Sequence, residues 1–224
     1  MIRMTHSDLQ GIIEWTENNH IGEFVIEAPA LFKEVSRDLN EETSDGVGLN
    51  FIEGTKTLNF SNEIEAIFNP TKLSFNNRKA LSTLLKLLVK TSNSEEFYLE
   101  TNKFKTKIIK YLGELMDVEG FGFEVIADDF TLDQIAKAVN FHVVGDEDDY
   151  IELLTDYMEA MTELTGVKLF VFVNLRAYIT ERETEQLIKN VLNHQFNILL
   201  IENQARAKYP EFKRITVDKD FCEV

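Results

Sequence analysis

The fold of this chain is decided by the stretch from Val167 to Asn203, VKLFVFVNLRAYITERETEQLIKNVLNHQFNILLIEN. Leu169 to Val173 and Asn197 to Ile201 are short, continuous apolar runs, which are typical of strands buried on both faces. Between them, Thr180 and Glu183 have the spacing of a capping box, which predicts a helix beginning after Thr180. A strand, a helix and a strand at this spacing form a βαβ unit, so we predict two parallel neighbours in a buried sheet.

Polar residues stand where both predicted strands end, with Asn174 and Arg176 after the first and Glu202 and Asn203 after the second. Ligands of open α/β sheets usually bind at this edge. One hypothesis is therefore a degenerate nucleotide-dependent phosphotransferase that uses Asn174 and Glu202 as metal or substrate contacts.

The stretch from Gly46-Val47-Gly48 through Gly54-Thr55-Lys56-Thr57 faintly resembles a phosphate loop but does not match the motif. The motif requires Gly, four residues and then Gly-Lys-Ser/Thr, so that backbone N–H groups and a lysine surround the phosphates. Here Leu49 stands in place of the first glycine, and Lys56 follows Thr55 instead of Gly54. The loop also precedes a predicted strand, so it lacks the helix N-terminus that would face the phosphates.

Composition limits the class of protein. The chain of 224 residues has 44% hydrophobic residues and 17 Phe, enough for a sizeable core. Its single cysteine, Cys222, excludes an internal disulfide and fits a reducing cytoplasm. No apolar run reaches the length of a bilayer span, and the first ten residues lack the apolar core of a signal peptide. We therefore expect a cytoplasmic protein.

Charge is segregated along the chain, although its total of −16 alone argues against binding to a polyanion. From Pro70 to Lys110 there are nine basic and three acidic residues, whereas from Tyr111 to Gly166 there are fifteen acids and one base, Lys137. Such a chain can present a basic face to DNA and an acidic pocket to cations. The alternative is that both segments are solvated helix faces.

The segments before residue 77 continue the α/β pattern. We predict strands at 24–27 and 64–68, a helix over 29–39, and a hairpin whose strands flank Glu53-Gly54. The first twenty residues are polar, with Trp15 as their one large apolar anchor. The middle of the chain is mainly helical, with helices beginning after Asn77, near Leu99, at Thr131 and after Asp148 or Asp149, and short strands at 123–126 and 141–144. The predicted organisation is an α/β head domain, 1–76 and 167–224, with an inserted helical leg domain, 77–166.

Two acidic clusters lie in the predicted leg. Glu124, Asp128, Asp129 and Asp133 surround a strand-to-helix turn, and Asp146 to Asp149 fill the next loop. Calcium prefers six to eight oxygen ligands, often carboxylates from flexible loops. The loop is not an EF-hand, and the residues alone equally fit solvated helix caps.

Several segments resemble, in residue pattern and in order along the chain, the type II-A CRISPR-associated accessory protein of the Csn group. The resemblance is carried by LDQIAKAVNFHVVGDEDDYIE (132–152), KLFVFVN (168–174), ILLIE (198–202), YPEF (209–212), ITVDKDF (215–221), NEIEAIFNPTKLSFN (62–76) and ALSTLLKLL (80–88). The first twenty residues do not share it.

This resemblance implies a head similar to P-loop ATPases that lacks a nucleotide loop, a helical leg, and a ring-shaped homotetramer. It further implies calcium as cofactor, binding of double-stranded DNA ends in spacer acquisition, and no enzymatic activity. CRISPR integrase and effector nuclease proteins are the partners expected from it. The calcium carboxylates of the family fall on Glu124, Asp128, Asp129 and Asp148, and a further one on the neutral Gln134, whose role Asp133 could take.

A DNA-binding ring requires basic residues around its hole, because contacts to phosphate are independent of base sequence. The candidates in this chain are Arg78, Lys79, Lys86, Lys90, Lys103, Lys105, Lys107 and Lys110.

A third hypothesis is a protein-interaction scaffold whose acidic surface meets a basic partner.

Overall fold

The computed structural model describes residues 1–7, 9–40, 48–73, 78–119, 131–139 and 149–224; the side chains of Arg78, Lys79 and Glu119 lie outside this description. Contacts divide the chain into two compact units. The first unit comprises Met1–Ser74 and Gly145–Val224, and the second comprises Phe75–Val144.

The strands and helices alternate in the first unit, whereas the described elements of the second are helices. The strands are β1 (Ile2–His6), β2 (Ile13–Trp15), β3 (Ile21–Ile26), β4 (Leu49–Glu53), β5 (Lys56–Thr57), β6 (Ile64–Ile67), β7 (Leu169–Val173), β8 (Ile198–Glu202) and β9 (Phe212–Val217). The helices are α1 (Pro29–Asn40), α2 (Phe60–Glu63), α3 (Arg78–Ser92), α4 (Tyr98–Glu119), α5 (Leu132–Ala138), α6 (Tyr150–Thr165) and α7 (Glu181–His194), with short 3₁₀ helices at Pro70–Lys72 and Leu175–Ala177.

A five-stranded parallel sheet in the order β6-β7-β8-β3-β9 forms the centre of the first unit. The predicted βαβ unit is confirmed, because β7 and β8 are parallel neighbours with Phe170 opposite Ile198. Its helix α7 begins with the predicted capping box. The Thr180 hydroxyl accepts a hydrogen bond from the Glu183 amide at 3.2 Å, and the Glu183 carboxylate accepts one from the Thr180 amide at 2.7 Å.

The two faces of this sheet differ in chemistry because side chains alternate along each strand. One face belongs to an apolar core shared with α1 and the first strands of the chain, to which the sheet contributes Phe24, Ile26, Val171, Val173, Leu199, Ile201, Ile215 and Val217. The intervening positions of β3 and β8 include two fully buried acids, Glu23 and Glu202. The opposite face is also largely apolar, with Phe170, Phe172 and Leu200 buried, but it carries these two buried acids as well.

The first twenty residues contain structure that the sequence analysis missed. β1 and β2 belong to an antiparallel sheet in the order β2-β1-β4-β5. The buried side chains of Ile2 and Met4 alternate with Arg3 and Thr5, a period-2 pattern too short to stand out among polar neighbours. Pairing with β4 stabilises it. The predicted hairpin of β4 and β5 is present, but its second strand ends at Thr57, because Asn59 caps the helix α2.

The position of α6 differs from the predicted domain boundary at residue 166. The helix belongs to the first unit, where Tyr157 donates a hydrogen bond to Glu65 of β6 at 2.8 Å and Asn190 of α7 donates one to Thr155 at 2.9 Å. Its apolar face is buried, and this burial binds it to the α/β unit. The second unit therefore ends near residue 144, and its description as a leg remains a prediction. Among the described residues, no helix is both long and apolar enough to cross a membrane.

Candidate nucleic-acid interface

The helix α4 carries a row of exposed lysines on one face. Lys103, Lys107 and Lys110 are separated by four and three residues, the spacing that aligns side chains along a helix. All three are exposed, whereas Lys105 is half-buried on the other side of the helix. Lys110 Nζ lies 3.7 Å from Glu114 Oε1. Both side chains are mostly exposed, so this ion pair contributes little to stability. Lys103 and Lys107 form no ion pair with any described carboxylate, so their charge is available to a polyanion.

The helix α3 supplies a second basic pair. Lys86 and Lys90 are exposed and four residues apart, so they share a face of α3. Ala80 and Leu85 are buried, and α3 packs against α5. The backbone of Arg78 and Lys79 begins α3, but their side chains lie outside the described part of the chain. The structure thus places six of the eight predicted DNA-binding side chains, with Lys105 departing from the exposed pattern.

The predicted calcium ligands Glu124, Asp128, Asp129 and Asp148 lie outside the described residues. Within the described ranges, no group of three or more His, Cys, Asp or Glu residues is close enough to hold a metal ion. Asp149, beside this set, caps α6 by accepting hydrogen bonds from the amides of Ile151 at 2.9 Å and Glu152 at 3.1 Å. The Glu152 hydrogen bond is the main reason that the pKa of Asp149 is lowered.

Gln134 and Asp133, the two described members of the predicted calcium set, have local partners at the start of α5. The Gln134 side-chain oxygen accepts a hydrogen bond from the Thr131 amide at 3.1 Å. One oxygen of Asp133 accepts from the Thr131 hydroxyl and the other pairs with Lys137 at 2.9 Å. The Thr131 hydrogen bond first, and then Lys137, lower the pKa of Asp133. A calcium ion would have to compete with Thr131 and Lys137 for the oxygens of Asp133.

The carboxyl edge of the parallel sheet contains no phosphate loop after β3. Only Glu27 and Ala28 separate β3 from α1, and Pro29 is the first residue of the helix. A phosphate loop needs several residues between strand and helix, including two glycines. Gly54, the glycine tested in the sequence, lies in the turn between β4 and β5 instead, with φ +63°. The connection thus agrees with the rejection of a nucleotide loop.

A buried ion cluster lies beside this edge. Arg176 donates to Glu23 at 2.6 Å, and Arg214 donates to the other oxygen of the same carboxylate. The Arg176 guanidinium also lies 5.5 Å from the ring centroid of Tyr209 and 5.4 Å from that of Phe212. Sequence analysis had noted Arg176 but missed Glu23 and Arg214. Glu23 could have been identified because it is an acid in the middle of the apolar strand IGEFVI. A buried acid of this kind needs a cationic partner.

Asn174 and Glu202, the contacts of the enzyme hypothesis, are used to fix the edge itself. Asn174 adopts a left-handed conformation with φ +56°, and its side-chain oxygen accepts a hydrogen bond from the Asn203 amide at 3.1 Å. Glu202 is fully buried and accepts one from the Arg176 amide at 3.0 Å. Neither residue projects a free oxygen into an open cleft, so the geometry does not favour that hypothesis.

Comparison with protein families decides the relationship of the chain. A family model described as "CRISPR-associated protein (Cas_Csn2)" matches residues 38–221. The chain belongs to the Cas_Csn2 family. The match includes α3 and α4 with their lysines, the βαβ unit and β9, and it omits the first 37 residues. The resemblance predicted from sequence is therefore confirmed, including the absence of a match in the first twenty residues.

Two of the solved structures that match this Cas_Csn2 protein are only distantly similar to it. A putative ABC transporter ATP-binding protein from Pyrococcus furiosus has 13% identity and a TM-score of 0.39, covering 95% of this chain and 96% of its own. A dimeric ATP-binding cassette in a post-hydrolysis state with ADP and Pi has 11% identity and a TM-score of 0.36, covering 92% of this chain and 88% of its own. TM-scores this low support no inference about ligands of this chain. No curated protein matches it.

Proposed function

We propose that this Cas_Csn2 protein is a non-enzymatic, calcium-dependent ring that binds ends of double-stranded DNA during CRISPR adaptation. Family membership supports a CRISPR-associated role. The observation that carries DNA binding is the exposed row Lys103, Lys107 and Lys110 on α4, of which only Lys110 forms an ion pair with a described carboxylate. The ring is a homotetramer, and its partners are the CRISPR integrase and effector nuclease.

The lysine row suits a phosphate backbone. At about 1.5 Å rise per residue, Lys103 and Lys107 are offset by about 6 Å along α4, and Lys107 and Lys110 by about 4.5 Å. Contacts of this kind position DNA without reading its sequence. The whole chain is strongly acidic, with a net charge of −16, so its surface repels DNA elsewhere and directs it to the basic face.

Calcium fits the donor set predicted for the acidic segment. Glu124, Asp128, Asp129 and Asp148 offer only carboxylate oxygens, the ligands that calcium prefers. The segment from Tyr111 to Gly166 contains one base, Lys137, which is paired with Asp133. A divalent cation would supply the positive charge that this segment lacks. Binding of the ion to the folded state would also stabilise it by mass action.

A comparison of linear and closed circular DNA of the same sequence tests the proposal. We expect a gel shift with the linear form only, and light scattering should give a tetramer in millimolar calcium. Replacement of Lys103, Lys107 and Lys110 by Ala should lower the slope of log K against log salt by roughly 2 to 3 for each subunit that contacts the DNA, since each lost phosphate contact removes about 0.9. Assembly should not change.

The matched control replaces Lys33 on α1 and Arg182 and Lys189 on α7, three exposed basic residues, by Ala. This variant should bind linear DNA with an unchanged salt slope if the α4 row is the interface. Equal binding of circular and linear DNA would contradict threading of an end, and equal effects of the two variants would contradict the assignment to α4.

A further inference from the structure

Glu202, the last residue of β8, is a buried carboxyl group with an incomplete set of partners. Its side chain is fully buried, and Oε1 accepts the Arg176 amide hydrogen bond already described. Oε2 has no hydrogen-bond partner among the described atoms. A buried carboxylate with only one hydrogen-bonded oxygen is costly to hold in its charged form.

The charges around Glu202 and its neighbour Glu23 come from four parts of the first unit. Glu23 on β3 repels the carboxylate, while Arg176 after β7 and Arg214 on β9 both direct their guanidinium groups to Glu23. Arg206, in the segment after β8, is different. Its Nε lies 4.0 Å from Glu202 Oε2, and neither atom has a hydrogen-bond partner in the described structure. Arg206 is therefore the cation left to respond to the charge of Glu202.

Protonation of Glu202 occurs in the neutral range. Burial raises the pKa of Glu202 to about 7, against a lowering by the Arg176 amide hydrogen bond and a further rise from Glu23. A carboxyl whose pKa is raised on folding adds stability below its ordinary pKa, and this contribution is lost as pH rises through about 7. The neutral acid thus favours the fold as a whole.

The segment 203–211, which we call the edge segment, is attached to the same cluster through its backbone. The carbonyl of Arg206 accepts a hydrogen bond from Arg214 at 3.0 Å. The carbonyl of Ala207 accepts from Arg176 at 2.9 Å and from Arg214 at 3.2 Å. A movement of Arg206 toward or away from the sheet therefore acts on the part of the edge segment that these carbonyls anchor.

We propose that Glu202 and Arg206 form a proton-sensitive latch on the edge segment. The ionised carboxylate attracts Arg206 and holds the segment against the sheet, and the neutral acid releases it. This regulatory device goes beyond DNA and calcium binding and does not depend on either. The latch predicts two effects of opposite sign. Neutralising Glu202 loosens the edge segment locally, and the same change stabilises the fold as a whole.

The test uses the full chain with Glu202→Gln, which mimics the neutral acid. At about pH 8 the variant should unfold at a temperature higher than the parent by about 3 °C or more. The difference should shrink as pH falls through about 7 and vanish only below the ordinary pKa of a glutamate, where the folded and the unfolded parent are both protonated. Trypsin at about pH 8 should cleave after Arg206 and Lys208 roughly two- to fivefold faster in the variant, as loss of one partly buried pair implies. Glu211→Gln, in the same segment but exposed, should change neither property.

The latch requires that Glu202→Gln raise the unfolding temperature and also speed cleavage of the edge segment, so either measurement can contradict it. A Glu202→Gln variant that is less stable at about pH 8, or that is cleaved no faster than the parent, would overturn it. If this variant does not fold, Arg206→Ala gives a second test. Its cleavage after Lys208 should exceed that of the parent at about pH 8 and should match it near pH 6, where Glu202 is mostly neutral in both. A ratio that does not change with pH would equally overturn the latch.

Discussion

At the residue scale, Arg176 is the cation on which the carboxyl edge depends. It bonds the fully buried Glu23 on β3, its amide is bound by Glu202 of β8, and it donates to the carbonyl of Ala207 in the edge segment. A buried ion pair of this kind is not strongly stabilising relative to apolar packing, yet removal of one partner leaves an uncompensated charge. The residue therefore determines the position of three separate chain segments.

We predict that Arg176→Met lowers the free energy of unfolding by about 3 kcal/mol, at the lower end of the range for broken buried pairs because Arg214 still binds Glu23. Urea unfolding measures the change. Arg182→Met on α7 is the matched control, since Arg182 is exposed and its loss should cost at most about 0.5 kcal/mol. A combined Glu23→Gln and Arg176→Met variant should recover part of the loss. Equal effects of the two arginine variants would contradict this assignment.

At the element scale, the start of α7 shows how local sequence specifies a structure. Thr180 and Glu183 exchange hydrogen bonds at the helix N-terminus, where backbone amides otherwise lack partners. We predict that Thr180→Ala lowers the free energy of unfolding by about 1 kcal/mol, whereas Thr180→Ser, which keeps the acceptor oxygen, costs only a few tenths. Chemical denaturation of the three proteins measures both values. A loss in Thr180→Ser as large as that in Thr180→Ala would contradict a role for the hydroxyl as cap.

The stabilisation that this cap provides also depends on pH. The hydrogen bond from the Thr180 amide, and then that from its hydroxyl, lower the pKa of Glu183. A carboxyl whose pKa is lowered on folding contributes stability above its ordinary pKa and loses it as pH falls below that value. The difference in stability between the parent and Thr180→Ala should therefore shrink in acid, measured by the same denaturation experiment below pH 4.

Elements with a strong local signal were predictable, and those fixed by distant partners were not. The apolar runs of β7 and β8 and the capping box of α7 led to a correct βαβ unit because each signal lies within a few residues. β1 was not predicted because its alternating pattern, with Ile2 and Met4 buried, is short, and the strand is stabilised by pairing with the distant β4. The site divides in the same way. The count of basic residues drew attention to Lys103 and Lys107 but did not show which lysines share a face, and the pairing of Glu23 with Arg214 joins residues 191 positions apart.

At the scale of the whole molecule, charge is distributed so that one chain can attract both a polyanion and a cation. The basic residues of α3 and α4 lie in the chain just before an acidic segment that contains one base. The structure shows that this base, Lys137, is already paired with Asp133 at 2.9 Å. The other carboxylates of the segment therefore have no lysine or arginine within it to neutralise them. This shortage is the physical reason to expect calcium.

The sign of one mutational effect separates a calcium site from a solvated acidic face. Close carboxylates repel by about 1 kcal/mol per pair in a water-like dielectric, and by several times more when partly buried. If calcium relieves this repulsion, Asp128→Ala with Asp129→Ala should lower calcium affinity about tenfold or more and weaken binding to linear DNA. Simple loss of negative charge predicts the opposite, tighter binding to a polyanion. Glu185→Ala with Glu211→Ala, two exposed acids of the first unit, removes the same charge as a control. Calorimetry with calcium and a gel shift with linear DNA measure the effects, and a double variant that binds DNA as well as its parent or better shows that these acids are only a solvated face.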